Sequence, residues 1–255
     1  MNLLTMEHIG KSFTDRVLLD DISLGINEGE RIGVIGINGT GKSTLLKIIA
    51  GLEETDSGTL TKTRGLRIAY LPQTPVFDEG KTILANVTEG LTAEEEYRNI
   101  TGEAKAMLAK LGIPDSDRTA GSLSGGQKKR AALVHTLLLP ADLLVLDEPT
   151  NHLDASMTEW LEDYLNSFSG AFIMITHDRY FLDRVTNRIV ELDKGKLYSY
   201  AANYSRFLEL KAEREEMAAA TERKAKSLFR TELEWMMRGA RARSTKQKAH
   251  IGRFE

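Results

Sequence analysis

The sequence contains no cysteine, and only 5 of its 255 residues are proline. Without cysteine, the chain can form neither a disulfide bond nor a thiolate metal site. Long apolar runs are also missing: the stretches at 137–139 and 143–146 are short and are separated by Pro140 and Asp142, whereas a membrane-spanning helix needs about 18–20 apolar residues. The first residues lack the basic and apolar regions of a signal peptide. These absences favour a cytoplasmic protein with no membrane contact.

Acidic residues are missing from a segment near the end of the sequence. The whole chain has a net charge of −3, yet residues 201–255 carry 13 basic and 8 acidic side chains. An excess of basic residues at one end of a chain is typical of a surface that binds RNA or another polyanion. A helix face exposed to solvent explains the same charge pattern equally well. The segment from 238 to 253 has no acidic residue and six basic ones, which are the RNA-binding candidates: Arg238, Arg241, Arg243, Lys246, Lys248 and Arg253.

Short apolar runs alternate with helical patterns through residues 1–202. The runs at 143–146 and 172–176 are continuously apolar, as expected of buried parallel strands. Alternation of strands with helices predicts an α/β fold with a mainly parallel central sheet. We expect strands at 3–9, 17–26, 31–35, 66–71, 143–146, 172–176, 189–192 and 196–200, and helices at 42–50, 82–111 and 125–139.

The composition changes at residue 203. From there to Met237 the sequence contains neither glycine nor proline, and alanine, glutamate, lysine, arginine and leucine dominate. This predicts one helix of about 35 residues, or about 50 Å at 1.5 Å per residue. Because charges interrupt its apolar residues, we expect the helix to need a partner helix, and therefore expect the native chain to continue beyond Glu255.

A glycine-rich loop follows the strand at 31–35. Residues 36–44 match G-x-x-x-x-G-K-[ST], the pattern of loops that bind nucleotide phosphates. Glycines let the backbone wrap an anion without Cβ clashes, and amides at the start of the following helix point towards it. Lys42 is expected to reach the β- and γ-phosphates, and Ser43 to ligate Mg²⁺. The predicted nucleotide contacts here are Gly36, Asn38, Gly39, Thr40, Gly41, Lys42, Ser43 and Thr44.

Two adjacent carboxylates follow the apolar run at 143–146. A buried strand would deliver Asp147 to the metal side of the nucleotide, and Glu148 could then orient and deprotonate the attacking water. A solvated strand end is the other interpretation of such a pair, but the phosphate loop earlier in the chain favours catalysis. Asp147 is therefore the predicted metal ligand, and Glu148 the predicted general base.

A glycine pair begins the predicted helix at 125–139. The sequence Leu123-Ser124-Gly125-Gly126-Gln127 places a natural N-cap, Ser124, before residues whose amides are open to an anion. Alone, this pattern would indicate an ordinary helix start. Beside the phosphate loop and the carboxylate pair, it is a candidate functional motif.

Together with Gln73, Asp154 and His177, these motifs resemble those of the ATP-binding cassette (ABC) superfamily over roughly residues 3–200. The resemblance implies a RecA-like core, an antiparallel β-subdomain and a helical subdomain that carries residues 123–127. It also implies that two cassettes meet head to tail, so that each ATP lies between one cassette's phosphate loop and the other's signature motif. The signature motif comprises Ser124, Gly125, Gly126 and Gln127.

Further roles are implied by the resemblance alone. Gln73 would touch Mg²⁺ and sense the nucleotide, while His177 would contact the γ-phosphate as part of the catalytic site. Asp154 would couple the two nucleotide sites, and Phe13 would stack on adenine. For Phe13, a place in the hydrophobic core is an alternative that the sequence leaves open.

The segment after the cassette resembles the interdomain linker of ABC-F proteins. The resemblance rests on residues 203–209 and 232–249, and on Asn151-His152-Leu153-Asp154. It implies two cassettes in one chain, no membrane domain, and action on the ribosome with the linker directed towards tRNA. Residues 1–202 would then be the first cassette and residues 203–255 the start of the linker. A second cassette and rRNA or tRNA would be the partners.

The predicted function is Mg²⁺-dependent ATP binding and hydrolysis by the first cassette of an ABC-F protein acting in translation. The alternative is the ATPase subunit of a membrane transporter, because both classes share the cassette motifs. The long charged tail favours the ABC-F interpretation, since transporter subunits do not usually continue into such a helix. The sequence does not indicate which step of translation would be served.

Overall fold

We describe a computed structural model of the chain over residues 1–13, 16–91 and 99–237, with side chains as far as residue 231. The chain divides into two compact units, Met1–Phe207 and the residues from Leu208 onward. The strands are β1 (Asn2–Phe13), β2 (Arg16–Asn27), β3 (Arg31–Ile35), β4 (Ser57–Lys62), β5 (Ile68–Leu71), β6 (Leu143–Asp147), β7 (Ala171–Ile175), β8 (Arg188–Asp193) and β9 (Lys196–Tyr200). The helices are α1 (Lys42–Ala50), α2 (Ile83–Val87), α3 (Ile100–Lys110), α4 (Gly125–Leu138), α5 (Ala155–Ser167), α6 (Arg179–Val185) and α7 (Tyr204–Met237).

The larger sheet has the strand order β5-β6-β7-β3-β8-β9. Its strands run parallel, except that β9 returns antiparallel to β8. Strands β6 and β7 are buried at every position, which explains their continuously apolar sequences. Their side chains alternate between two cores, one containing Leu144, Leu146, Phe172 and Met174 and the other Leu143, Val145, Ile173 and Ile175.

The smaller sheet is antiparallel, with the order β2-β1-β4. Its inward side chains, such as Met6 and Ile26, share a core with α1 and with one face of the larger sheet. Helix α1 contributes Leu45 and Ile49 to this core, and both are fully buried. The helix ends at Gly51, whose left-handed φ of 80° provides the predicted stop.

Helices α2 to α6 pack on the opposite face of the larger sheet, around the second core. The expected single helix at 82–111 is wrong, because α2 ends at Val87 and α3 begins only at Ile100. After α2, Gly90 takes a left-handed φ of 78°, which a continuing helix does not allow. With this correction, the expected architecture of a parallel core, an antiparallel subdomain and a helical subdomain is observed.

Helix α7 spans 34 residues and confirms the long helix predicted from composition. Its first turn belongs to the first unit: Phe207 is buried, and its ring centre lies 5.0 Å from that of Tyr200. Farther along, Met217 and Leu228 are exposed. In the part of the chain that the structure describes, no helix has the length and apolar content to cross a membrane.

Two glycines with similar φ angles allow a test of how tightly β1 and β4 pack. Gly58 and Gly65 have φ values of 87° and 80°. A Cβ on Gly58 would collide with the carbonyl groups of Glu7 and His8, whereas a Cβ on Gly65 would meet nothing within 4 Å. Both Gly→Ala changes should incur a left-handed strain of about 1–2 kcal/mol. We expect Gly58→Ala to be destabilised by about 1–3 kcal/mol more, as measured by chemical denaturation. Equal losses in the two variants would contradict the packing described for β1 and β4.

Candidate functional site

Four neighbouring strands of the larger sheet lead into predicted site segments. Strand β3 runs into the phosphate loop, β5 leads to Gln73, β6 to Glu148 and β7 to His177. Neighbouring parallel strands end at the same edge of a sheet. The pairing of Asp147 with Ile175 fixes how far β6 and β7 extend relative to each other. Segments that are far apart in sequence therefore meet around one cavity.

The cavity has a volume of about 360 Å³, within the range of about 300–1,000 Å³ for small-molecule sites. Most of the predicted nucleotide and metal residues line it. Those residues are Asn38, Gly39, Gly41, Lys42, Ser43, Thr44, Gln73, Asp147, Glu148 and His177, together with Leu18 and Ile175.

Glycine determines the path of the phosphate loop. Gly39 and Gly41 have left-handed φ values of 79° and 102°. Gly36 packs so closely against the carbonyl oxygen of Leu192 that a Cβ would have no space. The hydroxyl of Thr40 donates to the carbonyl three residues earlier, at 2.9 Å. Gly36 and Thr40 thus shape the loop, while the other predicted loop residues line the cavity.

Helix α1 begins without a side-chain cap. Its N-cap is Gly41, and no side chain accepts from its first-turn amides. By contrast, Thr82, Ser124 and Asp154 cap α2, α4 and α5 with side-chain oxygens. The uncapped amides of α1 carry the positive end of the helix dipole and belong to residues that line the cavity. A phosphate group is the natural ligand for such a helix start.

Lys42 is almost completely buried at the floor of the loop. Its Nζ donates to the carbonyl oxygens of Gly36 and Ile37, at 2.8 and 3.1 Å. Burial lowers the pKa of Lys42, and the nearby Glu148 and Asp147 carboxyls oppose that effect. An ammonium group has three donors, so Lys42 retains one for a phosphate oxygen.

Asp147 ends β6 with a side chain that is 1% exposed. Neither carboxyl oxygen has a hydrogen-bond partner among the described residues. Burial raises the pKa of Asp147, while the charges of Lys129, Lys47 and Lys42 lower it. Buried carboxylates without partners are costly and are expected where a cation or a substrate completes the site.

Glu148 has a left-handed φ of 54°, which is rare for a residue other than glycine. Its amide donates to the carbonyl of Ile175 at 2.9 Å, which holds this conformation. Oε1 lies 3.3 Å from Nε2 of His177, and Oε2 has no partner in the described part of the chain. Burial raises the pKa of Glu148, and His177 partly offsets this. The carboxylate therefore belongs to a residue that lines the cavity, and one of its oxygens is buried without a partner.

The residues at this edge fit a Mg²⁺ ion that accompanies a nucleotide. Both carboxyl oxygens of Asp147 are buried without a hydrogen-bond partner among the described residues, and Asp147 lines the same cavity as Ser43 and Gln73. Mg²⁺ prefers oxygen ligands and usually binds through one or two protein groups, with water and phosphate oxygens completing its shell.

The signature motif lies outside the residues that line the cavity. Ser124 accepts from the Gln127 amide at 3.3 Å, and the Gln127 side chain accepts from the Ser124 amide at 3.0 Å. This capping box fixes the start of α4. A Cβ on Gly125 would meet nothing within 4 Å, so this end of α4 is open to a ligand or partner. Asp154 is also exposed, and it caps α5 by accepting from the Met157 amide at 2.9 Å.

Phe13 does not belong to the hydrophobic core, because its side chain is 47% exposed. This removes the alternative that the sequence left open. The Nζ of Lys11 lies 5.2 Å from the ring centre, and the same ammonium is bound by Glu53 at 2.8 Å. The ring lies at the end of β1, outside the residues that line the cavity.

Sequence reasoning missed Lys129, which is 5% exposed. Its Nζ donates to the carbonyl oxygens of Pro72, Gln73 and Asp147, at 2.6, 3.2 and 2.7 Å. Burial lowers the pKa of Lys129 to about 8, although Asp147 and Glu148 favour the charged form. In the sequence, Lys129 stands in a basic run that suggests a solvated face.

The six basic residues proposed to bind RNA lie outside the described residues. These are Arg238, Arg241, Arg243, Lys246, Lys248 and Arg253. Their assignment stays a prediction from the sequence.

A family profile described as ABC transporter matches residues 19–151, slightly more than half of the chain. The chain belongs to the ABC transporter family. A second profile with the same description matches residues 190–255 and thus includes the described part of α7. The chain is therefore an ABC ATPase domain followed by a family-specific extension.

Curated relatives come from several bacteria. The uncharacterized ABC transporter ATP-binding protein YfmR of Bacillus subtilis is 46% identical over 100% of this chain and 46% of that protein. The energy-dependent translational throttle protein EttA is 38% identical in Mycobacterium tuberculosis and 36% identical in Escherichia coli K12. Those alignments cover 98% of this chain and 51% and 52% of the relatives. The chain spans about half the length of these relatives. The predicted ABC superfamily is confirmed by the family profile.

Solved structures confirm the predicted ABC ATPase fold. An ATP-binding subunit of an ABC transporter matches with a TM-score of 0.68 and 25% identity, over 78% of this chain and 90% of that one. The ATP-binding cassette MJ0796, solved as a dimer in a post-hydrolysis state with ADP and Pi, matches with a TM-score of 0.67. Its identity is 24%, over 78% of this chain and 98% of the other.

The position of Lys42 predicts a direct role in nucleotide binding. Lys42→Ala should weaken the binding of ATP with Mg²⁺ by about 10-fold or more, because a hydrogen bond to a charged group contributes about 1.5–3 kcal/mol. Isothermal titration calorimetry measures this. Lys110→Ala, which removes an exposed lysine from α3, is the matched control and should bind ATP normally. Equal affinity in both variants would show that the loop is not the phosphate site.

Proposed function

We propose that the chain is the first cassette, residues 1–202, and the start of the interdomain linker, residues 203–255, of an ABC-F ATPase that acts on the ribosome. The observation that carries this proposal is the extent of the similarity to EttA. It covers 98% of this chain and so includes the tail, which is the part that separates ABC-F proteins from transporter subunits. The 34-residue helix α7 in that tail is consistent with a linker.

In the proposed site, the nucleotide phosphates bind in the loop at 36–44. The uncapped amides of α1 and the remaining donor of Lys42 hold the β- and γ-phosphate oxygens. Ser43, Gln73 and Asp147 would hold Mg²⁺, which when bound neutralises phosphate charge. Phe13 provides an exposed aromatic surface for the adenine base.

Glu148 is the proposed general base. Its Oε2 is buried without a hydrogen-bond partner among the described residues and would accept the proton of the attacking water, and its amide donates to the carbonyl of Ile175. His177 holds Oε1 and reaches the cavity from the end of β7, where it can contact the γ-phosphate. Glu148, oriented by His177, would remove the proton from the water as the water attacks the γ-phosphate.

Completion of the site requires a second cassette. The signature residues Ser124 to Gln127 lie outside the cavity of their own chain, at an open helix start that suits the γ-phosphate of another nucleotide. Asp154, exposed near His152 in the loop before α5, is placed on the surface and would couple the two sites. A single chain should therefore bind ATP but hydrolyse it slowly.

The first test separates binding from hydrolysis. In the two-cassette protein that this proposal implies, with the site of the other cassette inactivated in every variant, Glu148→Gln should bind ATP with unchanged affinity and hydrolyse it about 10²–10⁴-fold more slowly, as is typical when a general base is removed. The amide keeps the shape of the carboxylate but cannot accept the proton. Glu159→Gln, at an exposed position of α5, is the control. Near-normal phosphate release by Glu148→Gln would exclude Glu148 as the base.

The second test concerns the ribosome and the basic segment. The protein should co-sediment with ribosomes more strongly when ATP is bound, and the affinity should fall steeply with salt because phosphate contacts release counterions. Replacement of Arg241, Arg243, Lys246 and Lys248 by glutamine should weaken this binding and flatten the salt slope, with ATP binding unchanged. If the wild type binds ribosomes but the variant does so equally at all salt concentrations, the basic segment is not the contact.

The alternative function is that of a transporter ATPase subunit, which the family description also fits. The same sedimentation experiment distinguishes the two. A wild-type protein that hydrolyses ATP but never associates with ribosomes, in any nucleotide state, would favour the transporter alternative.

A further inference from the structure

A buried lysine joins three segments that no sequence motif connects. Lys129 lies in α4, five residues after Ser124, and its ammonium reaches the loop after β5 and the end of β6. The three acceptors are the backbone oxygens of Pro72, Gln73 and Asp147. An ammonium group has three donors and no acceptor, so these contacts satisfy it completely.

The neighbouring residue shows how specific this arrangement is. Lys128 also extends from α4, but its Nζ forms a partly exposed ion pair with Glu79 at 2.7 Å. Lys129 is instead 5% exposed. Burial of a charged group does not by itself show that the group is there for stability, because a whole buried ion pair can often be replaced by apolar side chains without loss. The geometry of the three acceptors is therefore the better guide to what Lys129 does.

The acceptors belong to the two segments that carry predicted magnesium ligands. Strands β5 and β6 are parallel neighbours, with Leu71 paired to Leu146. Beyond that pair β5 and β6 no longer pair with each other, although Asp147 still pairs with Ile175 of β7. Lys129 bonds to both segments there, at the backbone of Gln73 and of Asp147.

We propose that Lys129 is a positioning residue that holds Gln73 and Asp147 at the spacing needed to bind Mg²⁺ together with ATP. This rests on the proposed nucleotide site. Lys129 lies in α4, whose N-cap is Ser124.

The test measures how much Mg²⁺ improves ATP binding to this chain. ATP affinity is determined by calorimetry with Mg²⁺ and with EDTA, and the ratio of the two is the magnesium gain. Lys129→Met should leave the affinity in EDTA within about twofold and reduce the gain about 10-fold or more, the usual effect of losing a group that orients metal ligands. Lys128→Met is the matched control and should keep the wild-type gain.

Two further variants distinguish positioning from a merely structural role. Lys129→Arg keeps the charge and several donors and should restore most of the gain. In a Gln73→Ala background, Lys129→Met should reduce the gain by much less than it does alone, because residues that act through one another are not additive. If Lys129→Met does not fold by circular dichroism, Lys129→Gln replaces it, with the same criterion.

The inference would be overturned if Lys129→Met, or the Lys129→Gln variant that replaces it, kept the wild-type magnesium gain. It would also be overturned if the losses of magnesium gain caused by the Lys129 and Gln73→Ala substitutions were fully additive. A different result would contradict the proposed site itself. If the wild-type chain binds ATP no better with Mg²⁺ than with EDTA, the assignment of the metal ligands fails, and the role of Lys129 fails with it.

Discussion

Parallel pairing of β5, β6, β7 and β3 is the constraint on which the site depends. These strands hydrogen-bond side by side, and the register of each pair fixes where its segment leaves the sheet. The phosphate loop, Gln73, the carboxylate pair and His177 come together for that reason, although long segments of chain separate them. The two cores on either side make the register specific, because a slip of one residue would exchange every side chain of β6 and β7 between them.

The charges at this edge depend on one another. Burial lowers the pKa of Lys42 and Lys129 and raises that of Asp147 and Glu148, so in every case desolvation works against the charged form. Opposite charges nearby counteract it. Replacing one of these four charged residues would leave a buried charge of opposite sign without its partner, which strongly destabilises a protein. Substitutions here should therefore be interpreted with a measurement of folding beside that of activity.

Local sequence patterns predicted most of the strands and the helices α1, α4 and α7, but missed β4, α5 and α6. The bounds of α1 match because a strand, a glycine loop and a glycine stop surround one apolar helix. Strand β4 was not predicted, since only Leu60 in it is even partly buried and its partners lie far away in sequence. Lys129 could have been suspected from helical phase, because Ala132 and Leu133, three and four residues later, are buried. The carbonyls that receive its ammonium depend on tertiary structure, which no local pattern contains.

The uncapped start of α1 has a consequence for the empty protein. Other helices of the cassette supply their own N-terminal acceptor, as Ser124 does for α4, but α1 leaves that place to a ligand. ATP is then the missing cap as well as the substrate. A ligand that binds only the folded form stabilises it in proportion to the logarithm of its concentration. Because α1 fills the core between the two sheets, a higher ATP concentration in the cell would raise the free energy of unfolding of the whole domain.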